Sequence, residues 1–354
     1  MEEQRYPFEE KPTFAITHLH IRGLRGLKSI DLPENGLGWR DAFPQLAVIG
    51  GANGSGKTTL LRCITQAARL LVSPTAAIPS EVGAEECRID FTFADGFSPV
   101  RTLRFLVGNK KFVEANESAD CYGYIRTGAR PRSIQRGTVV DVRKEIRPSD
   151  FNTGGYLPRL VFLPSEDREL VVPNVKYKQP GNLVDDLGFV SAWERVAPNQ
   201  WRGSLVELLF SARWADLNAK EEGVPEAATN FDSYTRAFAD LSAKSKKLGW
   251  TSKGELVVQL KGGKEHPVAD LSSGERQALL LTAELRRRWT PGSLVLIDEL
   301  ELHLHDAWQA RMLDVLQSMQ KELGGQVIVT TQSHSLFEMA PLGTRALLGR
   351  EAMR

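Results

Sequence analysis

The chain has 354 residues, 42% hydrophobic and 25% charged, which is ordinary globular material and long enough to bury one large core or two smaller ones. Lys and Arg (45) balance Asp and Glu (44) to a formal net charge of +1, so no global field advertises nucleic acid or membrane binding. Cys63, Cys87 and Cys121 share no metal-ligand spacing, the opening "MEEQRYPFEEKP" is no secretory signal, and no apolar run approaches the ~18 residues of a membrane span; together these point to a reducing cytoplasm.

From the N-terminus, "FAITHLHIRGLRGLKSIDLP" (14–33) predicts a strand, a small basic turn and a second strand. "PQLAVIGGANGSGKTTLLRCIT" (44–65) is a short apolar strand, a glycine-rich turn and the start of an amphipathic helix. Gly51, Gly56, Lys57 and Thr58 satisfy G-x-x-x-x-G-K-[ST] in the strand-to-helix context the motif requires. Asn53, Gly54 and Ser55 lie inside the loop and Thr59 just after it. Such a loop curls so that successive N–H groups face a phosphate, and the helix N-terminus adds partial positive charge. Lys57 is placed to reach β- and γ-phosphates, and the Thr58 hydroxyl to ligate magnesium.

"CRIDFTFADGFSPVRTLRFLVGNKKFVE" (87–114) alternates as strands joined by glycine-containing turns, an antiparallel β-layer. Next, "IRTGARPRSIQRGTVVDVRKEIRPSD" (125–150) carries Arg126, Arg130, Arg132, Arg136, Arg143, Lys144 and Arg147 against few acids, and predicts an exposed loop followed by a strand. Two readings stay open for it: a nucleic-acid or acidic-partner contact, or a solvated basic loop. No aromatic alternates with the arginines as a single-strand groove would want, which favours the second. Residues 185–248 show apolar and aromatic side chains at helical spacing, with Gly223 and Gly249 as stops and Trp193, Trp201 and Trp214 as core or interface residues. No heptad is sustained, so a long coiled-coil arm is not expected.

In "VADLSSGERQALLLTAELRRRWTPG" (268–292), Ser272, Ser273 and Gly274 form a small polar turn before a helix starting near Glu275. Two hydroxyls at a helix N-terminus make a second anion site; a plain serine N-cap is the alternative. "LVLIDELELHLHDAWQA" (294–310) then runs an apolar strand into adjacent carboxylates. Acids at the carboxyl end of a strand buried on both faces usually meet a ligand or metal, the alternative being a strand that surfaces into a solvated turn. A P-loop site needs a second magnesium-side carboxylate, which Asp298 fits, and Glu299 would lie where it could deprotonate an attacking water. A metal site at His303, His305 and Asp306, with H-x-H on a strand, is a further possibility.

With Leu271 before it, Ser272-Ser273-Gly274-Glu275 resembles the signature motif of the ATP-binding-cassette ATPases in the variant L-S-S-G-E. The Asp298-Glu299 strand follows at that family's spacing, and "GQVIVTTQSHSLFE" (325–338) looks like a further buried strand ending in the family's switch histidine, His334. The resemblance covers roughly 14–100 and 252–354. It implies an α/β ABC ATPase head, a RecA-like P-loop core with an antiparallel β-layer, plus a helical lid. The expected division is 1–100 and 251–354 as the two halves of the head, with 101–250 a β-rich basic insertion and lid. The wide separation of Lys57 from Gly274 and the "LELHLHD" segment are unlike transport subunits. They resemble short SMC-like ATPases, similar to the ATPase half of overcoming-lysogenisation-defect proteins and to ATPases of bacterial anti-phage systems. No Q-loop glutamine precedes 87–93, where Glu85 and Glu86 stand instead.

The resemblance implies a cytoplasmic Mg-ATPase without a membrane partner that dimerises around ATP, the signature of one copy closing on the P-loop of the other. Lys57, Glu299 and His334 would be catalytic and Thr58 and Asp298 would hold Mg2+. The rest of the P-loop, with Ser272, Ser273 and Gly274, would bind ATP. Only a short stretch follows His334, so the expected output is an effector in trans, such as a nuclease or toxin. A transporter subunit and an ATP-gated DNA-clamping scaffold are the alternatives.

Overall fold

The computed structural model describes residues 11–348 apart from 35, 38, 40–41, 97–98, 128–129, 147–156, 167, 169, 171–187, 194–203, 222–229 and 253–254. In chain order the first strands are β1 (Thr13–Leu24), β2 (Leu27–Leu32), β3 (Gly36–Leu37) and β4 (Leu46–Gly50), followed by helix α1 (Lys57–Val72). Then come β5 (Glu86–Ala94), β6 (Arg101–Gly108), α2 (Lys110–Asn116), β7 (Cys121–Ile125), β8 (Arg132–Gln135) and α3 (Val139–Glu145). The central part adds β9 (Leu160–Leu163), β10 (Val190–Ala192), α4 (Leu205–Glu221), α5 (Asn230–Leu241), β11 (Lys246–Trp250), β12 (Leu256–Leu260) and β13 (Glu265–Pro267). The C-terminal part is α6 (Ser273–Arg288), β14 (Leu294–Ile297), α7 (Asp306–Leu323), β15 (Gln326–Thr331), α8 (His334–Met339) and β16 (Arg345–Leu347).

β4, β9, β14 and β15 are buried at every position, as strands covered on both faces must be. They form a seven-stranded sheet in the order β10-β9-β14-β15-β4-β16-β3, parallel except for the last pair. Side chains alternate between its faces with the strand's period of two. Ala47, Ile49, Phe162, Leu294, Leu296 and Ile328 enter one core, with Leu60 and Ile64 of α1. Val48, Val161, Val295, Ile297, Val327 and Val329 enter the other, with Leu279 of α6, Met312 of α7 and Phe238 of α5. Each buried Val, Leu, Ile or Phe among them contributes roughly 1.5–3 kcal/mol, which holds in place whatever stands at the strand ends.

The second sheet runs β2-β1-β5-β6-β7-β8 and is antiparallel apart from the β6–β7 pair. Its inner side chains, among them Phe14, Ile16, Phe91 and Phe93, share the first core with α1. A short antiparallel sheet, β11-β12-β13, precedes the turn that starts α6. The α/β core and antiparallel layer expected from the sequence are both present.

Several local expectations are corrected. The strand expected after the loop in 125–150 is β8, but it is followed by an unexpected helix, α3, in which Val139, Val142 and Ile146 are buried at helical spacing while Val140 is 42% exposed. Within the segment expected to be helical, β10 and β11 are strands and Gly249 sits inside β11 rather than ending a helix. β10 pairs in register with β9, and β11 with β12. Gly223 and Trp201 lie outside the described residues; Trp193 is buried and Trp214 is 44% exposed. The strand of 325–338 stops at Thr331, and His334 opens α8 instead of ending the strand. Residues 101–250 supply strands to both large sheets.

Candidate functional site

Parallel pairing brings the carboxyl ends of four strands to one edge. Gly50 of β4 faces Thr331 of β15, while Ile297 of β14 lies beside Val329 and Leu163. The segments leaving those strands are therefore neighbours: 51–56, 332–334, 298–305 and 164–168. In open α/β sheets ligands bind at this edge.

The glycine-rich loop turns from β4 into α1 with Gly54 at φ 77 and Gly56 at φ 93, a region open to glycine at little cost. Gly56 also backs onto the β1–β2 turn, where an added Cβ would lie 2.8 Å from the Gly26 carbonyl oxygen. Lys57 is 4% exposed and donates from Nζ to the carbonyls of Gly51 at 2.8 Å and Ala52 at 3.0 Å. Its charge is thus held over the loop by neutral groups that an anion can outbid. The Ser55 hydroxyl oxygen is buried with no hydrogen-bond partner, an orphan that an anion in the loop would satisfy. These residues fit a phosphate chain.

Asp298 is fully buried, and among the described residues its carboxylate accepts hydrogen bonds from hydroxyls. Oδ2 accepts from Thr58 Oγ1 at 2.7 Å and from Ser165 Oγ at 2.7 Å, and Oδ1 accepts from Thr330 Oγ1 at 2.6 Å. Two hydroxyl oxygens and a carboxylate oxygen converging at the mouth of the loop form an all-oxygen donor set of the kind magnesium takes. Glu299 has φ 46, an unusual backbone for a glutamate, and its N–H donates to Thr330 Oγ1 at 3.0 Å. Burial and the neighbouring Asp298 and Glu301 raise its pKa above the ordinary glutamate value, against the opposing pull of Lys57 and Arg168. Glu301 accepts the N–H of Gln332 at 2.6 Å, tying this loop to the segment before His334. His334 is exposed, one residue beyond Ser333, which caps α8 by accepting from the Leu336 N–H at 3.2 Å.

Ser272 is the N-cap of α6, and both arms of a capping box are present. Its Oγ accepts from the Glu275 N–H at 3.3 Å, and its own N–H donates to Glu275 Oε2 at 3.0 Å. The capping reading is therefore realised, and it leaves the start of α6 at the surface with Ser272 and Ser273 exposed. A Cβ on Gly274 would stand 2.6 Å from the His303 carbonyl oxygen, so the turn packs on the loop that follows Glu299.

The metal reading of His303, His305 and Asp306 is corrected. His303 is in a turn at φ 63, His305 is the N-cap of α7 and Asp306 lies in its first turn, so no strand presents two rings to one face. Among the described residues no group of three or more His, Cys, Asp or Glu could hold a metal ion. Of the basic segment, Arg126 donates to the carbonyls of Gly83 and Ala84, and Arg136 pairs with Glu117 at 2.9 Å. Arg143 reaches the Leu71 carbonyl and Gln135, and Lys144 pairs with Asp141. Arg130 and Arg132 are exposed, and Arg147 lies outside the described residues.

Sequence reasoning missed Ser165 and Arg168. Arg168 is 4% exposed and its guanidinium donates to the carbonyls of Asp298 at 2.9 Å and Glu299 at 2.7 Å. Burial lowers its pKa to about 10, although Asp298, Glu301 and Glu299 pull the other way. The signal was available: "LVFLPSEDR" (160–168) is a wholly apolar strand running into polar residues, the same pattern that drew attention to 294–299. This segment, not the one before 87–93, stands beside Asp298.

A parallel P-loop sheet with a buried carboxylate facing the P-loop threonine defines the P-loop nucleoside-triphosphatase class of fold. The profile of the family described as "AAA domain, putative AbiEii toxin, Type IV TA system" matches residues 46–338, and the chain belongs to that family. It is 42% identical over 90 residues to the Retron Ec83 probable ATPase of Escherichia coli. That match spans 22% of this chain and 16% of the relative's length. Among solved structures, the SMC head domain from Thermotoga maritima aligns at a TM-score of 0.45 and 14% identity, over 92% of each chain. An SmcHead bound to the C-winged helix domain of ScpA aligns at 0.49 and 16%, again over 92% of each chain. No helix among the described residues is long and apolar enough to cross a membrane.

Proposed function

We propose that the chain binds and hydrolyses ATP at the P-loop edge of the parallel sheet, and that two copies close around the nucleotide to switch a partner effector. The observation that carries this is the shared carboxylate: Asp298 Oδ2 takes the hydroxyl of Thr58, in the P-loop helix, and that of Ser165, from a segment more than a hundred residues away. Gly51, Asn53, Gly54, Ser55, Gly56, Lys57 and Thr59 would cradle the phosphates. Thr58 and Asp298 would hold Mg2+, which when bound neutralises charge on the phosphoryl oxygens. Glu299, its pKa raised, takes the proton of a water whose oxygen bonds to the γ-phosphorus while the bond to the ADP oxygen breaks. His334, exposed at the same edge, would hydrogen-bond the γ-phosphate. Ser272, Ser273 and Gly274 of the second copy, at an exposed helix N-terminus, would close over it.

Family membership and the retron relative support an anti-phage setting with a nuclease or toxin as effector. Nucleic acid binding through 125–150 is not part of this proposal, because four of its seven basic side chains are spent within the fold.

The test is Glu299→Gln. Phosphate release should fall by about 100-fold or more, the size of a general-base contribution, while ATP-dependent dimers accumulate in mass photometry. Undiminished hydrolysis would remove Glu299 from its role. Absence of ATP-dependent dimers would sink the sandwich. Effector control that persists without hydrolysis would instead favour an ATP-gated scaffold.

A further inference from the structure

Arg168 is a buried cation whose hydrogen-bond partners, among the described residues, are all neutral groups. Two of its nitrogens hold the carbonyls of Asp298 and Glu299. The third meets Gln277, which is 2% exposed and lies one turn into α6. With the Gln277 amide oriented by its partners, its nitrogen donates to the Arg168 carbonyl at 2.8 Å and its oxygen accepts from Arg168 Nε. A guanidinium taken out of water without a bonded carboxylate is costly, and a fold keeps one where its planar fork does something a lysine or an apolar residue cannot.

The Glu299 backbone supplies the reason. At φ 46 it is held in a sparsely populated, strained region that persists only when the surroundings over-determine it. Within its own turn the Glu299 carbonyl accepts from the Leu302 N–H at 3.1 Å; the determinants from outside the turn are the Glu299 N–H on Thr330 and the Glu299 carbonyl on Arg168. Thr330 belongs to the rigid sheet. Arg168 does not: it is tied to α6, the helix whose first turn packs Gly274 against the His303 carbonyl.

We propose that Arg168 is a positioning residue for Glu299, and that Gln277 makes this position depend on the placement of α6. In an ATP-closed pair, the N-terminus of α6 faces the nucleotide of the other copy while Gln277, one turn later, sets the acid of its own. Arg168 and Gln277 thereby connect the two sites of the pair. This rests on the assignment of Glu299 as the base.

The experiment compares the full wild-type chain with Arg168→Lys, Gln277→Leu and Gln277→Glu, measuring kcat per titrated ATP site, KM, equilibrium ATP binding and Tm. Lysine has no planar fork and no Nε to meet Gln277 while its terminal nitrogen holds the carbonyls, so Arg168→Lys should lower kcat by about 100-fold, the cost of an ångström-scale misplacement, with KM and ATP affinity unchanged. Gln277→Leu should lower kcat in the same sense with ATP binding retained. Gln277→Glu keeps an acceptor for Arg168 Nε and should restore most of the rate. Losses in Tm and in the number of binding sites, with kcat per site unchanged, would overturn the proposal in favour of a packing role. If Arg168→Lys fails to fold, the Gln277 pair decides: equal rates in Gln277→Leu and wild type overturn it. A wild-type chain without ATP turnover, or a Glu299→Gln chain that retains it, instead defeats the assignment of the base and this inference with it.

Discussion

Replacing Asp298 with asparagine separates a structural carboxylate from one that serves a metal. The side chain is fully buried and accepts three hydroxyl hydrogen bonds at 2.6–2.7 Å. Bonds to an ionised acceptor contribute about 1.5–3 kcal/mol each. Asparagine keeps one acceptor oxygen and puts a donor where the other stood, but a hydroxyl can rotate to accept from that donor. With the charge gone all three become neutral bonds, a loss of about 1 kcal/mol each and about 3 kcal/mol together. Against this, the substitution removes the desolvation penalty of a buried charge, itself several kcal/mol. The two nearly cancel, so the nucleotide-free protein should melt within a few degrees of wild type.

The ligand-bound protein should behave differently. At a hundred times Kd a ligand stabilises by about 2.7 kcal/mol, and 1 kcal/mol corresponds to about 2–4 °C in domains of 150–250 residues. Wild type should gain several degrees from ATP with Mg2+, and less from ATP with EDTA. Asp298→Asn should show the two shifts equal. The assay is differential scanning fluorimetry under those conditions, with ATP binding checked by calorimetry. A variant that keeps the full magnesium-dependent shift refutes the role given to Asp298. A collapse of the nucleotide-free protein refutes the bookkeeping and makes the carboxylate structural.

Asp90, 4% exposed, accepts from the guanidinium groups of both Arg88 and Arg104; Asp90→Asn should cost about 3–5 kcal/mol in urea unfolding, the penalty for breaking a buried charge cluster. Burial pushes the Asp90 pKa up, but the two arginines outweigh it and leave it below the ordinary aspartate value. Its contribution is therefore present above the unfolded pKa of about 3.9 and lost as pH falls through the lower folded value; wild type should lose urea resistance there while Asp90→Asn lacks that component. Ser272→Asp keeps an N-cap residue and should leave the unfolding free energy within about 1 kcal/mol of wild type, yet abolish ATP-dependent dimers in mass photometry by setting a carboxylate where the nucleotide's phosphate would lie. Dimers that form normally would show that the serine only caps the helix.

What could be read in the sequence was what is local in the chain. The P-loop is contiguous, and its glycines, lysine and threonine state their spacing outright; the strand 294–297 announces itself by four apolar residues before two acids. Ser165 and Arg168 carry no spacing of their own. Their importance arises from β9 pairing with β14 in register, which brings Leu163 beside Ile297 and carries Ser165 to Asp298. Nothing within 160–168 names that partner, and a sequence with four apolar strands leaves several sheet orders open. Helix α3 was missed for a different reason. "TVVDVRKEI" satisfies an alternating pattern and a helical one over so few residues, and packing Val142 with Val139 and Ile146 into the first core chose the second.

The same distinction between local and long-range information explains where strain sits in the site. Gly54 and Gly56 reach positive φ in a residue built for it, so the P-loop is self-sufficient. Glu299 reaches φ 46 in a residue that is not, and cannot be replaced by glycine without losing its carboxylate. Its own turn contributes the Leu302 N–H on the Glu299 carbonyl, and the rest is imposed from outside, by Thr330 from one neighbouring strand and Arg168 from the segment after another. The phosphate loop therefore needs only its own sequence, whereas the acid beside it is placed by three stretches of chain that meet only in the folded sheet. A site built this way can bind nucleotide before its acid is correctly set, which is the property a switch needs.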